Sequence, residues 1–394
     1  MGVCGARDVP RGDGTRIVAA AGPCLHPGRR CENHPVSRPA VPPRAAPAPS
    51  RRILLRAAGV AVLLPLAGCG RIALGGPEEY TPPPPGIDDL YRHDLLELLE
   101  RTIVGTARVA DHGDADGDPL LSSTVAALSA ALPVQRTALL TGAEAEDERE
   151  AGEDPAPGQT SPPPPEEAPT DLPGLVDALV RLRDLAASAA RQVSGSLARP
   201  VVAIAAHTAW AVRRLRGGAG SGGVAPAPTA EELVPTREVP ATDPPSIGAE
   251  SDYHSTIERA QLEEWYAGFL HEVLAARSED AARQQHLDLT ALHRERAAKL
   301  GRIAEEDGAP VVTRQAVYAI PGGTLDEQSA AELPTLLAQG LLVDHIALVG
   351  AAPFERRPLS IAAALQEAEL LALLVDRLDP LPSLEVEPPP PVEE

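Results

Sequence analysis

Ile87-Asp-Asp-Leu-Tyr-Arg-His-Asp-Leu-Leu-Glu-Leu-Leu-Glu-Arg-Thr-Ile-Val-Gly-Thr-Ala-Arg-Val-Ala110 sets the architecture. Leu90, Leu95, Leu96, Leu98, Leu99 and Ile103 recur at three- and four-residue intervals, the spacing that lines one face of an α-helix. Asp88 and Asp89 supply negative charge where a helix begins. The same period returns along the chain. A second helix is expected from about Pro119 to Leu140, with Pro133 kinking or breaking it. Asp171 reads as an N-cap before Leu175, Leu179, Leu182 and Leu185. After a break at Ser194-Gly195-Ser196, a fourth helix runs from Leu197 to Leu215, with Pro200 in its first turn. Four more patterns follow, at Tyr253–Arg277, Asp280–Ala304, Leu325–Val349 and Leu359–Leu378. Runs of alternating Val, Ile, Thr and aromatic residues are missing, so strands are not expected.

The expected fold class is therefore all-α, with two tandem helical bundle modules. Long antiparallel helices joined by short loops pack most economically as four-helix bundles. The first module spans 87–216 and carries an acidic, Pro-rich insert at 143–170, read as disordered because it exceeds an ordinary loop. A Gly-, Ala- and Pro-rich linker at 217–250 separates it from a second module at 251–379. An acidic, Pro-rich tail follows at 380–394. Aromatic residues make up only 2% of the 394, so the cores must be built from Leu, Ala, Val and Ile.

Upstream of the helices lies an address. Ser50-Arg51-Arg52-Ile53-Leu54-Leu55-Arg56 precedes an apolar run from Ala57 to Leu66, then Leu66-Ala67-Gly68-Cys69. Paired arginines before a short apolar run form a twin-arginine export signal. The run falls short of the ~20 residues that span a bilayer. Leu66, Ala67 and Gly68 before a cysteine form a lipobox, so cleavage before Cys69 and lipidation of its sulfur are expected. Two acyl chains anchor stably where one does not. Residues 1–68 thus read as an N-terminal extension plus signal peptide, and 69–86 as a lipidated stalk ending in Pro82-Pro83-Pro84-Pro85, an extended polyproline stretch. A signal of this kind begins close to its arginines, so translation is expected to start later than Met1, at Val36 or Val41. Cys4, Cys24 and Cys31 fall in the discarded part. The mature chain keeps only Cys69, which leaves no disulfide framework or thiolate metal site. The expected location is extracytoplasmic, at the cell membrane.

Beyond residue 68 there are 25 basic and 53 acidic residues, a formal charge of −28. Such a body repels phosphate backbones, which argues against nucleic acid as a partner, and repels anionic headgroups, which leaves anchoring to the lipid. The expected partners are the membrane through that lipid, and an envelope protein or an apolar ligand.

Several short stretches carry a family resemblance: Arg259-Ala-Gln-Leu-Glu-Glu-Trp-Tyr-Ala-Gly-Phe-Leu270, His293-Arg-Glu-Arg-Ala-Ala-Lys-Leu300, Val317-Tyr-Ala-Ile-Pro321 and Thr324-Leu-Asp-Glu-Gln-Ser-Ala-Ala-Glu-Leu333. Over about 253–378 the chain resembles a ferritin-like domain-of-unknown-function family of lipoproteins in high-GC Gram-positive bacteria. The resemblance implies a ferritin-like four-helix bundle of unassigned function. Where those relatives carry Glu-His in the first helix, this chain has Glu264-Trp265, so a metal role for that histidine does not transfer.

Carboxylate-bridged di-metal bundles use Glu-x-x-His on two helices and single glutamates on two others. Beyond residue 68 neither Glu-x-x-His nor Asp-x-x-His occurs. Glu264 and His271, Glu279 and His286, and His286 and His293 stand one heptad apart. That separation, about 10 Å, is too far for one pair to chelate an ion unless other helices converge. No metal or other cofactor is assigned. The alternative reading is a metal-binding or redox lipoprotein with a degenerate di-metal site at Glu264, His271, His286 and Glu295. Asp344-His345 in an apolar stretch reads as a hydrogen-bonded interior pair or a polar stripe. Trp265, Tyr266 and Phe269 read as core, or as one wall of a ligand pocket. Gly217-Gly-Ala-Gly-Ser-Gly-Gly223 follows no strand and is not a phosphate loop; a Gly-x-Ser-x-Gly elbow is likewise missing. No catalytic residue is assigned, and the overall reading is a non-enzymatic envelope scaffold or binding protein.

Overall fold

The computed structural model describes residues 85–113, 117–153, 167–216, 225–238, 250–320 and 323–384. Arg51, Arg52, Leu66, Ala67, Gly68 and Cys69 lie outside the described residues, as do most of the stalk and residues 385–394.

The described residues contain nine α-helices and no strand. These are α1 (Ile87–His112), α2 (Pro119–Leu139), α3 (Gly142–Glu153), α4 (Leu172–Gln192), α5 (Gly195–Leu215), α6 (Glu250–Arg277), α7 (Asp280–Glu306), α8 (Glu327–Ala351) and α9 (Arg357–Leu371), with a 3₁₀ turn at Phe354–Arg356 before α9. The all-α bundle expected from the period is what the chain forms.

Aspartates set several helix starts. Asp118, Asp171 and Asp326 each accept a hydrogen bond from a backbone N–H in the first turn of α2, α4 and α8. Each satisfies a donor with no partner inside the helix. Asp88 in α1 instead accepts from Ser194, through its N–H at 2.8 Å and its hydroxyl at 2.5 Å, fixing α1 to the start of α5.

Helix α5 is the axis of the molecule. Leu197, Val201, Val202, Ile204, Trp210, Val212 and Leu215 are buried on all its sides, as expected of a helix that is apolar all round. It packs against α2, α4, α8 and α9. One continuous apolar core holds Leu95 and Leu99 of α1, Leu128 of α2, Leu179 of α4, Ile204 of α5, Leu342 and Ile346 of α8, and Leu365 and Leu371 of α9. The described residues, from 85 to 384, accordingly fall in one compact unit. The separation of 87–216 from 251–379 is a separation in chain order, not in core.

Two segments read as loose connections are partly ordered. Within 143–170, α3 begins with a capping box: Glu144 accepts from the N–H of Thr141 at 2.7 Å while Thr141 accepts from the N–H of Glu144 at 3.3 Å. Arg136 then clamps Glu148 at 2.6 Å. Within the linker, residues 225–238 lie along the bundle. Arg183 donates to the carbonyls of Ala225 and Pro226, Gln192 accepts from the N–H groups of Thr236 and Arg237, and Leu233 is buried. The tail also stays attached at its start: Gln135 donates to the carbonyl of Pro380, and Leu381 is buried.

Pro133 does not break α2, which runs on to Leu139. Its side chain faces solvent while Leu128, Ala131, Leu132, Gln135 and Leu139 bury the opposite face on either side of it. That packing outweighs the hydrogen bond a proline removes. Likewise α5 starts at Gly195, inside the expected break.

Candidate functional site

Helices α6 to α9 carry two small apolar clusters. One contains Ile257, Ala260, Leu300, Ala304 and Leu348; the other contains Ala267, Leu270, Leu337 and Leu341. Between them lies a polar layer. Glu264 falls between Ala260 and Ala267 on α6, and His345 between Leu341 and Leu348 on α8, so each polar side chain points inward at the same level.

Glu264 is the hub and is fully buried. One carboxylate oxygen accepts from Nδ1 of His293 on α7 at 2.8 Å. The other accepts from Nε2 of His345 at 2.8 Å and from the guanidinium of Arg296 at 3.3 Å. Arg296, one turn after His293 on α7, also donates to Glu367 of α9 at 2.5 Å and to Gln366 at 2.5 Å. Four helices therefore converge on one guanidinium and two carboxylates. Burial alone would push the Glu264 pKa up. The charge of Arg296 and the hydrogen bonds from His293 and His345 outweigh it and hold the carboxyl well below the usual range. Arg296 is correspondingly held more firmly protonated, because the two glutamates outweigh its burial. Each imidazole donates to Glu264 through one ring nitrogen, and the other nitrogen, Nε2 of His293 and Nδ1 of His345, is buried without a hydrogen-bond partner. Glu367 Oε2 is a third buried atom without one.

A second histidine group adjoins this layer. The ring of His271 on α6 inserts between His286 and His293, which lie two turns apart on α7. It stacks on His293 at 5.3 Å with 8° between the planes, and on His286 at 5.3 Å with 29°. The Nδ1 atoms of His271 and His286 are 3.2 Å apart. His271 is buried and His286 half-buried. Burial, with its two histidine neighbours, depresses His271 to about 3, and burial lowers His286 too.

The candidate ligands read from sequence thus separate. Glu264 enters the polar layer, His271 and His286 meet beside it, and Glu295 stands on the outer face of α7 in an ion pair with Lys299 at 2.9 Å. His293, Arg296, His345 and Glu367 complete the layer. Of these, only His293 and His345 stood out in sequence, His293 by its heptad step and His345 by its apolar surroundings. Arg296 and Glu367 look like ordinary helical surface charges until α7 and α9 are brought together. The Asp344-His345 pair splits: His345 turns to Glu264, and Asp344 pairs with Arg259 at 2.8 Å. Tyr266 and Phe269 pack on Tyr318 at ring separations of 5.9 and 5.5 Å, and Arg314 lies over Trp265.

A ferritin-like bundle implies a pair of metal ions at such a level, and the donors here do not fit them. The Arg296 guanidinium bonds both carboxylates that would bridge the ions, and both oxygens of Glu264 accept from N–H donors. Among the described residues no group of three or more His, Cys, Asp or Glu side chains is arranged to hold a metal ion. A cleft of about 150 Å³ has Thr229, Lys299, Leu359, Gln366 and Arg296 in its lining; Glu264 is not part of its wall.

Comparison with known families places a DUF4439 domain, described as a domain of unknown function, at residues 258–385. This is a ferritin-like type of domain, and the match runs from the third turn of α6 to fourteen residues past the end of α9, taking in the whole polar layer. No curated protein and no solved structure matches the chain.

Proposed function

We propose that this chain is an exported helical platform, tethered by lipid on Cys69 to the outer face of the cytoplasmic membrane, and that it acts by binding rather than by catalysis. The observation that carries the reading is the Arg296 guanidinium lodged between Glu264 and Glu367. A general acid or base must reach its substrate. Here Glu264, His293, His345 and Glu367 are buried between apolar clusters, and both carboxylates are bonded to the Arg296 guanidinium. A closed polar layer of this kind specifies how four helices meet. The export half of the proposal rests on Arg51, Arg52 and the Leu66–Cys69 lipobox. The charge of −28 beyond residue 68 favours a basic or apolar envelope partner over nucleic acid.

Palmitate labelling with cell fractionation tests the tether. The wild-type chain should incorporate label and sediment with membranes. Cys69→Ala should lose the label and its attachment, and replacing Arg51 and Arg52 by Lys should strand the precursor inside. An unlabelled wild-type chain in the cytosol refutes the location. Metal analysis of protein purified without chelator tests the second half. Stoichiometric iron or manganese that disappears in Glu264→Gln would revive the metal-binding or redox alternative.

A further inference from the structure

The His271–His286 contact has no part in the sealed layer, and its geometry has a use of its own. It joins two Nδ1 atoms 3.2 Å apart. Two neutral imidazoles at that distance share at most one N–H, so at least one lone pair points into the gap. The same separation suits a different occupant. Two nitrogens each 2.0–2.1 Å from a tetrahedral zinc lie about 3.3 Å from one another.

We propose that His271 and His286 form a two-imidazole site for a borderline divalent cation of the zinc, nickel or copper(II) class. Imidazole pairs suit these ions, whereas magnesium and calcium require oxygen donors. The two ligands come from facing helices, α6 and α7, so an ion would clasp the hairpin. The His271 ring is held by stacking on His293 at 5.3 Å, and His293 is fixed in turn through its Nδ1 by Glu264 at 2.8 Å. Such outer support is what orients a metal-ligating ring. Half-buried His286 supplies the open side, from which water completes the coordination. The site uses no carboxylate and does not require displacement of Arg296, so it stands apart from the interior layer.

The test is calorimetric titration of zinc chloride, repeated with nickel, into the chelator-treated 394-residue chain carrying Cys4→Ser, Cys24→Ser, Cys31→Ser and Cys69→Ser, which removes the thiols that would compete for the ion. One ion per chain is expected. His286→Ala, at the half-exposed ligand, should weaken zinc binding at least tenfold while leaving the helical circular dichroism unchanged. His93→Ala, which removes an exposed histidine on α1, should bind as that parent chain does. His271→Gln supplies the second ligand test. No zinc binding by the parent chain overturns the proposal. So does undiminished binding by His286→Ala, which would mean that the ion sits elsewhere.

Discussion

Arg296 holds one positive charge against two buried carboxylates, and its side chain is only 4% exposed. Removing the guanidinium would leave Glu264 only its two histidine donors and Glu367 buried without a partner. Breaking a buried pair from one side costs about 3–5 kcal/mol. Arg296→Ala should lose roughly that amount in urea denaturation, and Arg296→Lys less, because it keeps the charge and loses only the fork. A fully buried histidine in α5 makes the opposite case. Neither ring nitrogen of His207 has a hydrogen-bond partner, and burial depresses its pKa from 6.5 to about 4. In the unfolded chain the ring takes a proton as pH falls through 6.5, while in the folded chain it resists until about pH 4. The unfolded state therefore binds more protons across this window, and folded stability drops with falling pH. His207→Leu removes the titration and the unmet polar atoms together. It should be neutral to stabilising at pH 7. Its advantage over wild type should widen by up to about 3 kcal/mol between pH 6.5 and 4, measured by denaturation at each pH.

Helices meet where two small residues allow it. A Cβ built on Gly195, at the start of α5, would sit 2.3 Å from the carbonyl oxygen of Gly350 near the end of α8. Gly195→Ala must push the two helices apart and should cost about 1–3 kcal/mol. Gly340 is the contrasting position: it is exposed in mid-α8, with nothing within 4 Å of an added Cβ. Gly340→Ala should raise stability by about 0.5–1 kcal/mol, since it removes only the entropic cost of glycine in a helix. Thermal melting of the two variants should move in opposite directions. The pair also marks what could be read from sequence. The period of apolar residues located α1, α4, α6, α7 and α8 to within about three residues at each end, because each buries one face. It cannot reveal that Gly195 is a point of close approach, since Ser-Gly-Ser serves equally well as a break. Nor can it keep Pro133 inside α2, because the packing that carries α2 on past it comes from other helices. Thr141-Gly-Ala-Glu144 was a legible capping box, hidden by the acidic composition around it. The polar layer was half legible: Glu264, His293 and His345 carried a signal, whereas Arg296 and Glu367 acquire meaning only from each other.

The two halves of the chain differ in sequence character and are separated by a Pro-rich stretch, yet they share a core. Ile346 of α8 and Leu365 of α9 are fully buried in the same cluster as Ile204 of α5 and Leu179 of α4. Arg357, at the start of α9, reaches back to the carbonyls of Ala190 and Val193, which α4 leaves unpaired at its end, at 3.1 and 2.6 Å. Burial pulls its pKa down to about 10, a sign of how completely these contacts replace water. The DUF4439 match at 258–385 therefore covers a stretch of which the α8 and α9 faces turned to α4 and α5 are not surface in this chain. Cut free, the 251–384 fragment would expose the apolar faces of α8 and α9 that α4 and α5 cover. It should keep helical circular dichroism, bind a hydrophobic dye and lack a cooperative thermal transition, which are the observables of a molten state. Adding the 85–238 fragment should restore cooperativity and expel the dye, because it returns α4, α5 and the docked segment 225–238. A 251–384 fragment that melts cooperatively on its own would instead show that the Glu264–Arg296 layer and its two flanking clusters suffice to close four helices.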